Sequence, residues 1–456
     1  MSATGSQFWR VAALALAGAL ALTLLWQTFA AGEREPTGLV PHRAPVAALG
    51  HRAAAALQQG QPTTAAEARD RLDHDLVWAG RRARNAQNWS DQAELAGLLL
   101  SRAQLVGSYQ NYVDAGAALQ AAFEVAPPGT GPHLDRAAYH LAIHRLPAMA
   151  ADLEAVERYA IPDDAELSTA LGLRGDVFFY GGRYREALSL YRRAQQLMPG
   201  TASEFRLANY YAHTGRPDWA EAFLDQADSR IGGPQQQLRA FVEVRRGVLD
   251  LDAGRWDAAE VHFRRAEDIF PGYWLTEHEL AGVLALRGQH GAALTIYRRA
   301  ALRDDLPEAW DGAAAAWQAL GDAANAATAA QRAGTLWEAR LALAPEAAMG
   351  HAAQHHLQFG DRARALDLAQ RDYALRPFGD SACTLAAALL ANDRPADALR
   401  ALAPTLASEW TTAEPYAWAA RAAEMSGDRR RAKRHRRAAL AIDPHVFERT
   451  AVARGP

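Results

Sequence analysis

Three histidines, His351, His355 and His356, sit on one predicted helix, and the first two are four residues apart. That spacing puts two imidazoles on one helix face, an arrangement that suits a divalent metal. The rest of a metal-hydrolase motif is absent: no glutamate follows His351, and HEL at 278–280 lacks a second histidine. Asp70, Asp73, His74 and Asp75 form an acidic knot on another predicted helix, which reads as a solvated polar face. There is no glycine-rich phosphate loop, no nucleophile elbow and no paired carboxylate on a loop. The single cysteine, Cys383, excludes an internal disulfide and a cysteine-based zinc cluster. The expectation is a protein that is not an enzyme, with no metal and no cofactor.

One charged segment stands out. RRRAKRHRR, residues 429–437, contributes Arg429, Arg430, Arg431, Lys433, Arg434, Arg436 and Arg437. It reads either as the solvated cap of a helical array or as a surface for an anionic partner, lipid headgroup or acidic protein. The chain as a whole carries a net charge of −3 over 456 residues. No global field steers it toward nucleic acid, which is not expected as a partner.

The elements that position these residues are repeated. GGRYREALSLYRRAQQLMPG at 181–200 and AGRWDAAEVHFRRAEDIFPG at 253–272 share a plan without sharing letters. A small residue five places after a glycine turn recurs as Ala115, Ala187, Ala220, Ala259, Ala293, Ala326, Ala365, Ala398 and Ala432, with Ala150 as a degraded member. From Ala187 onward the steps are 33, 39, 34, 33, 39, 33 and 34 residues. The two long steps mark an insertion at 231–239 and a helix lengthened through Leu336–Leu343. Tyr184, Ala187, Leu188, Tyr191 and Ala194 fall on one helix face. Gly175 and Ala187 let two helices approach closely, with Phe178 and Tyr191 beside them. Gly182 ends the first helix and Pro199 the second.

This pattern resembles the tetratricopeptide repeat (TPR), a 34-residue helix–turn–helix unit. The unit from Ser168 supplies Leu171, Gly175, Phe178, Ala187, Tyr191, Ala194 and Pro199 at its characteristic places, and the unit from Pro307 supplies Trp310, Ala314, Trp317, Gly321, Ala326 and Ala333. Asp250 stands where an aromatic is expected, which reads as a register shift or a buried acid. The implied fold is all-α, a right-handed α-solenoid of about ten stacked units over residues 96–445, followed by a tail at 446–456. Residues 63–95, with a predicted helix at Thr64–Arg84, read as a cap or degenerate repeat.

Residues 11–26 hold only Thr23 as a polar side chain, and the apolar run extends to Ala31. Residues 1–31 read as a cleaved signal peptide or a single membrane anchor, and 32–62 as a flexible linker. Arg10 ahead of the run keeps the N-terminus inside, so the array is expected to be exported to the periplasm or cell envelope.

The resemblance also implies where a partner lies: along a concave surface formed by the first helix of each pair. That assigns Phe205, Asn209, Phe241, Val244, Val248, Leu275, His278, Glu308 and Asp311. Where the family's carboxylate clamp has Lys and Asn, this sequence has Gly172 and Asp176 in one unit and Phe205 and Asn209 in the next, so a clamp is not expected. The apolar strip from Phe205 to Leu275 suits an amphipathic helix or extended peptide instead. The expected function is a non-catalytic scaffold for a protein or peptide partner, in assembly or secretion. The alternative is an accessory to polysaccharide synthesis or export, with Trp274, Trp310 and Trp317 as candidate sugar-stacking side chains.

Overall fold

A computed structural model describes residues 61–84, 88–158, 162–233 and 235–450. The N-terminal apolar run and nearly all of the linker lie outside the described residues. No helix among the described residues is long and apolar enough to cross a membrane.

The described residues form twenty-two helices and no strand. α1 spans Ala65–Arg84. Ten antiparallel pairs follow: α2 and α3 (Trp89–Val106, Tyr109–Val125), α4 and α5 (His133–Ala142, Leu146–Val156), α6 and α7 (Asp164–Tyr180, Tyr184–Leu197), α8 and α9 (Thr201–His213, Pro217–Arg230), α10 and α11 (Gln236–Asp252, Trp256–Ile269). The second half continues with α12 and α13 (Trp274–Leu286, His290–Asp304), α14 and α15 (Pro307–Ala319, Ala323–Leu343), α16 and α17 (Pro345–Phe359, Arg362–Leu375), α18 and α19 (Gly379–Ala391, Pro395–Ala407), α20 and α21 (Ala413–Met425, Arg429–Ile442). α22, Val446–Arg449, closes the array. The first pair begins at Trp89, inside the stretch taken for a cap, and the expected tail starts with a packed helix whose Val446 is buried.

Local chemistry explains the boundaries. Asn88, Asp322, Asp361 and Asp428 cap helix N-termini with side-chain oxygens that accept from the backbone, and Asp163 and Glu166 form a capping box. Pro217, Pro307, Pro345 and Pro395 stand in first turns, where an amide hydrogen is not needed. Between the paired helices, the chain turns through a residue with positive φ in every pair except α16–α17, where Gly360 has φ −125°.

The small anchors pack as the repeat requires. Ala115, Ala187, Ala220, Ala259, Ala293, Ala365 and Ala398 are fully buried. Gly175 has no room for a Cβ because Tyr191 lies against it, and Gly247 faces Phe263 in the same way. Three details differ from expectation. In α5 the sealed residue is Met149, five after the positive-φ His144, while Ala150 is half-buried. In α3 the residue five after Gly107 is Tyr112, so Ala115 belongs to the next turn of that helix. Phe178 is half-buried under Arg183, and its neighbour Phe179 fills the core instead. Asp250 is a largely buried acid held by Arg255 at 2.6 Å, with Leu251 taking the core position. α15 is 21 residues long, which accounts for one of the 39-residue steps.

The array winds back onto itself. Gly107 accepts from Arg340 Nη2 at 2.9 Å, and Tyr109 donates to the Ala347 carbonyl at 3.2 Å. Arg145 pairs with Glu346 at 3.1 Å. Gly379 N donates to Tyr184 Oη at 3.1 Å, and Thr411 N to the His213 carbonyl at 2.7 Å. Trp256 lies 4.4 Å from His445, ring to ring. The inner turns of the first four pairs therefore rest near the junction between the pairs five and six places further on, and that of the fifth rests on Asp443–His445 at the end of the tenth. One superhelical turn takes between five and six pairs, and two layers meet along a continuous seam. Trp410 is the hub of that seam: it is buried against Phe179, Tyr184, His213 and Phe378. α1 joins the same seam, with Ala65 N donating to the Pro271 carbonyl at 3.0 Å and Arg69 pairing with Asp304 at 2.5 Å.

Candidate interaction surfaces

Winding this tight decides the fate of the inner face. Phe205 and Phe241 do come together, ring centroids 5.2 Å apart and edge to face, but both are buried. Val244, Val248 and Leu275 continue the same core cluster, which also takes in Leu105 of α2. The expected open apolar strip is therefore a closed one. The reason is superhelical pitch: with five to six pairs per turn, the inner side of the early first helices is covered by the next layer. α18 is the extreme case, with every residue buried.

The polar members of the predicted strip are occupied from within. Asn209 Oδ1 accepts from Arg245 at 3.0 Å. Glu308 is buried and pairs with Arg340 at 2.5 Å. Asp311 accepts from Trp337 Nε1 at 2.8 Å and is bonded to His355 Nδ1 at 2.6 Å. His278 is buried with its ring 6.0 Å from Tyr297. At the clamp positions, Asp176 accepts from Tyr191 Oη at 2.8 Å and from Arg206 Nε at 3.0 Å. A Cβ on Gly172 would come within 2.7 Å of the Arg206 guanidinium, which would have to shift. Burial pushes the Asp176 carboxyl up to about 6, with Arg206 and the Tyr191 hydroxyl pulling the other way.

The histidines do not converge. His351 stacks on Trp337, His355 is bonded to Asp311, and His356 faces Glu338 at 3.5 Å. Burial holds His351 down at about 4. No group of three or more potential metal ligands is assembled among the described residues. In the acidic knot, Asp73 pairs with Arg102 at 2.5 Å, and His74 accepts from Trp78 Nε1 at 3.0 Å.

Of the three tryptophans proposed for sugar stacking, Trp274 is sealed in the core with Nε1 donating to the Gln104 carbonyl at 2.9 Å. Trp310 and Trp317 are half-buried, the latter beneath Arg298. Sequence reasoning missed Trp219, which is 47% exposed at the start of α9. It lies beside a stack of Tyr211 on Phe223, with ring centroids 5.6 Å apart and 5° between planes. A large aromatic directly before the small anchor was the available signal. Val261 on α11 and Leu302 on α13 are more exposed still, at 64% and 71%. The second helices of three successive pairs thus turn large apolar side chains outward.

The layer seam contains a cavity of about 320 Å³, lined by Arg69, Arg102, Arg303 and Arg340 among others. All four arginines already have carboxylate partners.

No family model matches the sequence, and no curated protein is significantly similar to it. Among solved structures, the chain is similar to the APC/C hetero-tetramer Cut9-Hcn1, at 13% identity and a TM-score of 0.35, covering 84% of this chain and 93% of that one. It is also similar to the human IFIT1 dimer with PPP-AAAA, at 12% identity and a TM-score of 0.37, covering 76% and 90%. The fold is the helix-pair array that the sequence resemblance to the tetratricopeptide repeat implies: ten antiparallel helix pairs, small residues at the close contacts and aromatics packed beside them.

Proposed function

We propose that this chain is a non-catalytic scaffold of the cell envelope that holds a protein or peptide partner on the outer, second-helix face of its array. The observation that carries the reading is the contrast between faces. The inner strip is consumed by the protein's own packing, while Trp219, Val261 and Leu302 are exposed on successive second helices. Exposed large apolar groups mark an interaction site where they join into a contiguous patch, which this reading assigns to the second-helix face. The envelope assignment rests on the apolar run at residues 11–31 and the single Arg10 before it. A photo-crosslinking amino acid placed at Val261 or Leu302 in living cells should give a discrete adduct identifiable by mass spectrometry, and none when placed at Phe241. Adducts from Phe241 with none from the outer positions would return the partner to the interior.

The second reading, an accessory for polysaccharide synthesis or export, is favoured by one observation: the Tyr211–Phe223 stack with Trp219 at the surface beside it. Aromatic faces of this kind pack against sugar rings. Trp219→Ala should then abolish oligosaccharide binding in a titration while leaving the peptide adducts intact.

A further inference from the structure

Arginine in this protein is usually held by acids. Arg206 pairs with Asp176, Arg246 with Glu221, Asp225 and Glu243, and Arg303 with Glu277 and Asp304. α21 departs from that habit. Arg429, Arg430, Arg431, Lys433, Arg434 and Arg437 have no carboxylate at ion-pair distance among the described residues, and Arg436 only reaches Glu424 at 4.0 Å. The helix RRRAKRHRRAALAI contains no acidic residue of its own. Three of its arginines occupy the first turn, where the helix dipole is positive and cations are unfavourable. Asp428 offsets part of this by capping Arg431 N at 2.9 Å. Like charges gathered at the wrong end of a helix, without internal compensation, call for an external anion.

The face is fixed outward. Ala432, His435 and Ala439 are buried on the opposite side. Beyond α21, Arg449 ties α22 to Asp443 at 2.8 Å and to Glu414 at 3.5 Å, so the end of the array cannot roll. At 3.6 residues per turn, the exposed cations span an arc of about 160°. Leu440, itself exposed, falls within that arc, and Met425 is exposed at the end of α20.

We propose that this face docks on an anionic lipid surface. The cations form a broad convex band, and α21 offers no aromatic side chain on which bases could stack. A diffuse sheet of headgroup charge satisfies such a band, and Leu440 and Met425 meet the apolar boundary beneath it. Each lysine or arginine at an anionic bilayer contributes about a fivefold gain in surface affinity. Residues 11–31, read from the sequence as a cleaved signal peptide or a single membrane anchor, would supply a second attachment if retained.

The test uses the full chain carrying Ala441→Cys, an exposed position at the end of α21, labelled with a fluorophore. Cys383 is buried and stays unlabelled. The labelled protein is added to vesicles of phosphatidylcholine alone, or of phosphatidylcholine mixed with phosphatidylglycerol, each holding a headgroup quencher. Quenching is expected on the anionic vesicles only, and should be lost in molar salt. It should fall to the neutral-vesicle level in the combined variant Arg430→Glu, Lys433→Glu, Arg434→Glu and Arg437→Glu, and persist when the three arginines become lysine. An unchanged melting curve for the glutamate variant confirms that folding is intact. Equal quenching on both vesicle types overturns the proposal, because attachment then comes from elsewhere in the chain. A larger response to single-stranded DNA or to a polyglutamate peptide than to anionic vesicles also overturns it.

Discussion

Gly182, Gly215 and Gly254 occupy the same place in their helix pairs as Gly288, Gly321 and Gly427, and all six have positive φ. Their surroundings differ. A Cβ at Gly182 would lie 2.6 Å from the Pro377 carbonyl oxygen, at Gly215 3.0 Å from Thr411, and at Gly254 2.5 Å from Asp443 Oδ1. At Gly288, Gly321 and Gly427 a Cβ would meet nothing within 4 Å. The early turns are glycine for two reasons, conformation and contact, and the later ones for conformation alone. One repeat motif therefore builds two different regions: turns that form the seam and turns that face solvent. The difference arises because the superhelix comes round on itself after five to six pairs.

Removing the seam's hub should have the largest effect. Trp410→Ala deletes a buried indole that touches four rings from both layers, and should cost about 3–5 kcal/mol. Trp317→Ala, half-buried on the later side of the array, should cost well under half of that. Chemical denaturation of both variants decides the matter. Equal losses would mean that the two layers are not energetically coupled.

Acid probes the seam next. His213 packs on Trp410 at 4.4 Å and its Nδ1 lies 2.8 Å from the Asn209 carbonyl. Burial lowers it to about 4; among nearby charges Arg245 reinforces the shift and Asp252 opposes it. His144, beside Glu346 in the same seam, is lowered as well, first by burial and then by Arg376 and His351. A histidine whose pKa is lower in the folded state contributes stability that is fully present above the unfolded value near 6.5. That contribution is lost as the pH falls toward 4. For His213 the full loss is about 3 kcal/mol. His213→Gln should therefore flatten the melting temperature's dependence on pH between 6.5 and 4. An unchanged slope would remove His213 from the account.

The glycines themselves give the sharpest version of the comparison. Gly254→Ala and Gly288→Ala share the cost of placing a Cβ in the left-handed region, about 1–2 kcal/mol. Only the first also overlaps Asp443 and Pro444, which should add about 1–3 kcal/mol. Parallel thermal melts would expose a missing difference at once.

The repeat was legible in the sequence because its determinants are local. A glycine turn, a small anchor and an aromatic four residues later constrain a single helix pair, and Ala187, Ala259 and Ala293 pack where that pattern places them. The closure of the inner face was not legible. It depends on how far each pair rotates against the next, a small angle that accumulates over some two hundred residues before Gly182 meets Pro377. No residue type encodes that sum. Phe205 and Phe241 were correctly placed on one strip, but the same strip is open or sealed according to pitch. Trp219, by contrast, carried its signal in plain view, on the second helix rather than the first.

The smallest expected effect concerns the face that the winding leaves free. Val261→Ser and Leu302→Ser remove exposed apolar groups, and each should change stability by no more than about 0.5 kcal/mol. A seam built only from inner turns predicts this indifference, since neither side chain touches the second layer. If the outer face holds the partner, the double variant should nonetheless lose it, so that binding and folding separate in one protein. Phe241→Ser gives the reverse pattern: its ring is fully buried against Phe205, and the variant should unfold before any question of binding arises. Measuring both variants by denaturation and by capture of the crosslinked partner tests the division directly. Loss of stability in the outer pair, with capture intact, would mean that the second helices belong to the core and that the array is thicker than its pairs imply.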